Sequence, residues 1–289
     1  MTLPGNLRGA ALMAAAALLF ALEALFIRWM TARGIPITTQ LLFRCLGQIL
    51  WIAPSLIAAG PAVLRTARPL LHGLRGACSL ATWGLYYWSL TLLDLATATV
   101  LSFTNVMFTT LLAAPLLRER VGAARWAGTL AGLLGIAVML RPWEAAPASA
   151  LGVTVALVAA VTWCGITLSS RLLTRTEGTL TIIGWVGVLT TAGILPFALW
   201  HWQPLDLGDL ALLAGLAGFT PGILVLMTEA FRAGEASAVA PFQYLRLPVL
   251  AATGWVLYGE APDGMAWLGA AVILAGALMV SLAELRARR

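Results

Sequence analysis

The chain contains no lysine; all 18 of its basic residues are arginine. That absence removes two classes of protein. A retinal-type Schiff base needs a lysine amine, and the phosphate loop G-x-x-x-x-G-K-[ST] needs its lysine, so ATP does not drive this chain directly. Histidine occurs only as His72 and His201, far apart and with no H-E-x-x-H, which argues against a metal-dependent or acid–base enzyme working on lipids. The three cysteines, Cys45, Cys78 and Cys164, are scattered without C-x-x-C spacing, so neither a disulfide framework nor a metal site is indicated. No cofactor and no catalytic residue is expected. Charge of either sign is scarce, at 10% of 289 residues against roughly 25% in a soluble domain.

What fills the chain instead is apolar. It is 61% hydrophobic, with a mean hydropathy of +0.91, the composition of an integral membrane protein whose first partner is the lipid bilayer. The net charge of +6 does not point to nucleic acid, because the arginines punctuate apolar runs instead of forming one stripe. A helix needs about 20 mainly apolar residues to cross the hydrocarbon layer. Segments of that length, separated by Gly, Pro, Asp or Arg clusters, predict ten spans: 8 to 30, 38 to 59, 70 to 92, 95 to 117, 122 to 141, 150 to 173, 179 to 201, 207 to 231, 235 to 257 and 264 to 284. The first carries Glu23 and matches a segment of the second half, so it reads as a retained helix and not a cleaved signal.

Arginine placement predicts the orientation. With both termini in the cytoplasm, inner loops and helix ends hold Arg8, Arg65, Arg68, Arg75, Arg118, Arg120, Arg125, Arg171, Arg175, Arg232, Arg286, Arg288 and Arg289, against Arg28, Arg33 and Arg141 outside. That bias predicts a multi-pass protein of a bacterial-type inner membrane. Trp143, Trp200 and Trp202, with His201, fall at the outer boundary, where amphipathic rings favour the headgroup layer.

The two halves repeat. At an offset of 141, Asp94 falls on Glu235, Glu119 on Glu260, Trp126 on Trp267, Gly128 on Gly269 and Gly135 on Gly276; at 143, Gly9 meets Gly152 and Arg28 meets Arg171. Five spans is an odd number, so the second half enters the membrane inverted, the plan of secondary transporters with a midplane substrate site. The expected fold is all-α integral membrane, ten transmembrane helices in two inverted five-helix repeats, 1–145 and 146–289. Gly128, Gly132 and Gly135 form a small-residue face, echoed by Gly269 and Gly276. Such faces serve either a homodimer through the fifth and tenth spans or packing inside the bundle.

Each repeat carries a small-residue helix start (Ala96 to Ala98; Ala236 to Val239), then a Glu, a short loop and a Gly-rich helix (RERVGAARWAGTLAGLLG; GEAPDGMAWLGAAVILAG). In this the chain resembles the EamA-type transporters of the drug/metabolite transporter superfamily over nearly its whole length, and is most similar to the YddG-type exporters of aromatic and other amino acids. The resemblance implies a central cavity lined by spans one to four and six to nine, with five and ten peripheral, and export of small metabolites. Two departures make the halves unequal: Leu247-Pro248 has no proline counterpart at Met107, and Gly259-Glu260 becomes Arg118-Glu119.

Three ionisable residues lie well inside spans, where each needs a partner or water: Glu23, Arg44 and Arg246. Glu23 and Arg44 fall at matching depths, about 6 Å to the outer side of the midplane. They suit a structural ion pair, or Glu23 a coupling proton. Arg246 has no acid predicted at its depth, since Glu229 lies close to the inner interface beside Arg232. It suits bidentate capture of a substrate carboxylate, pairing with Glu23, or bonding to backbone freed by Pro248. Ser102 and Asn105 are three apart on span four, and their counterparts are Gln243 and Arg246 on span nine, so both pairs are expected to face the interior. Ser79, Trp83, Tyr86 and Tyr87 on span three, Trp163 and Thr167 on span six, and Tyr244 on span nine complete a candidate wall. Pro221, Pro241 and Pro248 are candidate hinges.

The reading that follows is a secondary transporter exporting amino acids, including aromatic ones, and related small metabolites by alternating access. A proton-coupled drug or other metabolite transporter is the main alternative. An intramembrane lipid-modifying enzyme and a channel are weaker ones.

Overall fold

In hydrocarbon every backbone N–H and C=O must find its partner within the protein, so apolar runs of this length become helices. The computed structural model describes residues 5–145, 148–259 and 261–286, and no strand occurs among them. Glu260, Arg288 and Arg289, used in the sequence reading above, lie outside the described residues. The helices are α1 (Gly5–Ala32), α2 (Ile37–Ala59), α3 (Pro69–Leu92), α4 (Leu95–Phe103), α5 (Asn105–Leu117), α6 (Ala123–Leu140), α7 (Ala150–Leu173), α8 (Thr179–Trp200), α9 (Leu207–Ala233), α10 (Ala236–Val239), α11 (Arg246–Tyr258) and α12 (Gly264–Arg286).

These make ten crossings, because α4 with α5 forms one and α10 with α11 forms another, joined by the 3-10 turn Ala240–Leu245. Eight crossings are long and apolar enough to span a membrane by length and composition alone. The other two are α3, which carries His72 and Arg75, and the broken ninth crossing.

The breaks have local causes. Thr104 Oγ1 donates to the Leu101 carbonyl at 2.5 Å and Asn105 Nδ2 to the Ser102 carbonyl at 2.8 Å, side-chain bonds that compete with the helical ladder. In the ninth crossing Pro241 removes an N–H inside the 3-10 turn, while Pro248 sits in the first turn of α11, where a missing N–H is cheapest. Adding the repeat offset to Thr104 gives Leu245, the last residue of that turn. The interruptions thus fall at corresponding places, a single residue at Thr104 in the first half and a six-residue 3-10 turn in the second.

Helix pairing follows the repeat as well. α1 packs on α9 and α3 on α7, contacts that exchange when the halves are swapped; α2 packs on α8 and α6 on α12, each pair meeting its own counterpart. The glycine faces are consumed in that last pair. A Cβ on Gly135 would lie 2.7 Å from the Gly269 carbonyl oxygen, and one on Gly269 would lie 2.5 Å from that of Gly135. Of the two uses open to these glycines, the fold takes the one inside the bundle, and nothing here supports a homodimer through them. The start of α1 and the end of α12 lie at one end of the bundle, the termini end, where Asn6 Nδ2 donates to Glu284 Oε2 at 2.6 Å.

Candidate functional site

A cavity of about 390 Å³ lies between α2, α3, α7 and α8, with Phe20 of α1 and Leu224 and Met227 of α9 completing the wall. Its lining runs from Ile37 and Phe197, both exposed at the end opposite the termini, inward to Arg75. No residue of the fourth or ninth crossing lines it, so the wall is narrower than the eight spans the resemblance implied.

The termini end is sealed by bonds between the two halves. Glu119 receives the backbone N–H groups of Ala236 (2.7 Å) and Ser237 (2.9 Å), the Ser237 hydroxyl (2.7 Å), and a 3.6 Å contact from Arg171. It thereby satisfies the free N–H groups that begin α10. Arg125 Nη2 reaches Glu235 at 2.5 Å and Glu284 at 2.8 Å, and its Nη1 donates to Ser237 Oγ at 2.9 Å. At the opposite end the inter-half ion pairs, Arg33 with Asp209 (3.1 Å) and Arg141 with Asp263 (2.5 Å), are exposed and lie outside the cavity wall.

Helical spacing places the aromatics. Trp83 and Tyr87, four apart on α3, stack at 6.0 Å, and Trp83 meets Trp163 across the cavity at 6.1 Å. The Arg44 guanidinium lies 5.3 Å from the Trp83 ring centre and its Nε donates to Glu23 Oε1 at 2.5 Å, both side chains being buried. Arg75, Ser79 and Trp83 recur every four residues and share the lining.

Arg75 corrects the sequence reading, which counted it with the inner loops. α3 begins at Pro69, so Arg75 is nearly two turns inside the helix and 4% exposed. Its Nε donates to Ser170 Oγ at 2.8 Å and its Nη1 has no partner. The signal was available, because Arg75 falls one turn before Ser79 on the face already chosen. Gln48, buried with an unpartnered Oε1, also lines the cavity, as do Cys45 and Thr190; nothing in their apolar sequence context marked them.

Other predicted residues cluster elsewhere. Arg246 and Gln243 line a second, much smaller chamber with Met13, Ala17, Phe20, Phe103 and Trp163. Phe20 and Trp163 belong to both cavities and form the partition between them. Asn105 and Thr167 are buried with Oδ1 and Oγ1 unpartnered, Ser102 Oγ donates to the Thr99 carbonyl, and the Tyr86 hydroxyl lies 3.4 Å from Thr99 Oγ1. Tyr244 faces away from both cavities. Its ring fills the space over Gly132, where a Cβ would come within 2.1 Å of it, and it packs 5.8 Å from Phe103. The sequence reading assumed α spacing there, whereas a 3-10 turn advances three residues per turn and rotates Tyr244 toward α6. Pro221 is buried within α9.

Two inverted halves, a broken helix in each, and a ring-lined cavity open at one end and bonded shut at the other are the geometry of a carrier. The profile of the EamA-like transporter family matches residues 7–141 and again residues 150–282. The chain belongs to the EamA-like transporter family. The transporter is similar to the riboflavin transporter of Rhizobium johnstonii, 33% identical over 298 residues that cover 97% of this chain and 93% of that one. It is also similar to the S-adenosylmethionine uptake transporter of Rickettsia prowazekii, 30% identical over 84% of this chain and 82% of that one. A crystal structure superposes on the transporter with a TM-score of 0.79 at 24% identity, covering 97% and 99% of the two chains, and shares its fold. Membership places the transporter in the drug/metabolite transporter superfamily as a multi-pass, non-enzymatic membrane protein.

Proposed function

We propose that the transporter carries a planar aromatic metabolite of the flavin type through the central cavity by alternating access. The observation that carries this reading is the aromatic cavity itself. About 390 Å³ walled by Trp83, Tyr87, Trp163 and Phe20 suits one fused-ring solute held by stacking, with Gln48, Arg75 and Ser79 available for its polar edge. The similarity to a riboflavin transporter over nearly the whole chain points the same way.

With both termini in the cytoplasm, the bonded end is the inner gate and the cavity faces outward. Exchange of access then breaks the Glu119 and Arg125 contacts and closes the mouth around Ile37 and Phe197, the halves 1–145 and 146–289 turning about the breaks at Thr104 and Ala240–Leu245, with Pro241 and Pro248 as hinge residues. Glu23 is committed to Arg44, which favours a facilitator over proton coupling through that carboxylate.

Export of aromatic amino acids is the second reading. One observation favours it: Arg75, inside the cavity with an unpartnered Nη1 and no carboxylate partner among the described residues, could receive the substrate carboxylate in place of Arg246. Flux of labelled riboflavin and labelled tryptophan into proteoliposomes, with and without a pH gradient, separates the two. Saturable riboflavin flux, unaffected by the gradient and lost in Trp83→Ala, is expected. Tryptophan flux with none of riboflavin would replace the first reading by the second.

A further inference from the structure

Among the described residues, no carboxylate pairs with the Arg246 guanidinium. Its guanidinium carbon lies 4.8 Å from the ring centre of Phe103, 5.4 Å from Phe20 and 5.9 Å from Trp163. Aromatic faces attract a cation, but they carry no net charge. A guanidinium also has five N–H donors to place, and no hydrogen bond or ion pair joins this one to any described residue. The nearby carboxylate, Glu23, is engaged through its Oε1 by Arg44 Nε. Among the described residues lining the cavity and the chamber, Arg44, Arg75 and Arg246 stand with Glu23 beside Arg44, three positive charges against one negative, an excess that needs water or an anion to offset it.

The chamber beside Arg246 has the size of the missing charge. It leaves about 10 Å³ for the centre of a water-sized sphere, room for one particle of water or halide dimensions. A single water supplies an acceptor but no charge. Gln243 lines the same space and is more than nine-tenths buried, with an amide nitrogen that has no partner. A half-turn of that amide, which leaves its shape unchanged, presents a second donor to the chamber. The Phe20 and Trp163 partition separates this space from the main cavity, so its occupant need not be the cargo.

We propose that this chamber is an anion site, in which a monovalent anion of halide size sits against the Arg246 guanidinium with the Gln243 amide as second donor. The site neutralises one of the two excess charges and holds the start of α11 against α1 and α7, independently of what the main cavity carries.

The test is thermal unfolding of the purified full-length protein in detergent micelles, at constant ionic strength, with chloride or bromide replacing gluconate, which is too large to enter. A saturable rise in Tm of several degrees with either halide is expected. Arg246→Met, which removes the charge and keeps the volume, is expected to abolish the dependence while remaining folded; Gln243→Leu is expected to raise the half-saturating concentration several-fold. Equal Tm in halide and gluconate would overturn the proposal, as would a halide effect that persists in Arg246→Met. A response to formate but to neither halide would reassign the chamber to a substrate carboxylate and overturn the halide assignment.

Discussion

At the scale of single residues, the interior is governed by three arginines that each solve the cost of burial differently. Arg44 takes a carboxylate, Arg75 a hydroxyl and the cavity, Arg246 three rings and an anion chamber. The Glu23–Arg44 pair is the one whose disruption has a clear sign. Glu23→Gln leaves Arg44 buried with its charge unpaired, and breaking a buried pair in this way costs roughly 3–5 kcal/mol. Removing both charges together, as in Glu23→Gln with Arg44→Met, is expected to recover most of that loss. Equilibrium unfolding in mixed micelles measures both, and a single variant as stable as the parent would refute the account. Matching depth in the sequence was enough to put these two residues together. Arg75 went unplaced because positive-inside counting grouped it with the loops and helix ends although it fell inside the predicted third span, and only its burial against Ser170 and the cavity shows that it faces the interior.

At the scale of elements, the two repeats end their broken helices with the same backbone turn and different residues. Gly259 closes α11 at φ 69°, and Arg118 closes α5 at φ 58°. Only glycine occupies this left-handed region without strain, and another residue there costs about 1 kcal/mol or more. The departure from Gly-Glu in the first half is therefore a strained substitution at a position that keeps its conformation. Gly259→Ala is expected to lower stability by about 1 kcal/mol, whereas Arg118→Gly is expected to be neutral or stabilising. Denaturant midpoints of the two variants test the pair, and a loss in Arg118→Gly larger than in Gly259→Ala would show that the arginine side chain holds the turn. The glycine-rich helices carry a second lesson of this scale. Spacing revealed the small-residue faces of α6 and α12, but only the packing shows that each faces the other.

At the scale of the whole molecule, the ends of the bundle differ. One is tied across the halves through Glu119, Arg125, Ser237, Glu235 and Glu284, and the other opens into the cavity. Glu119 is the keystone of the closed end because its two oxygens satisfy the first free N–H groups of α10. Glu119→Gln weakens those charge-assisted bonds, and a loss of about 1.4 kcal/mol corresponds to roughly tenfold faster opening at that point. Hydrogen exchange over residues 233–240 is expected to accelerate by that factor, with the mouth at Ile37 and Phe197 becoming less accessible as the state closed at the Glu119 end is depopulated. Unchanged exchange would remove Glu119 from the gate.

What the sequence alone determined was the membrane environment, the ten crossings, the inverted repeat and the matching depth of Glu23 and Arg44, since hydrophobic length, an offset and depth along a helix are one-dimensional quantities. What only the tertiary structure decided was which polar residues share a space: that Arg75 and Gln48 join Trp83 in the large cavity, that Arg246 lies behind an aromatic partition, and that a 3-10 turn rotates Tyr244 out of both. Those outcomes depend on rotation about helix axes and on contacts between spans far apart in the chain, and neither quantity is written in the order of residues.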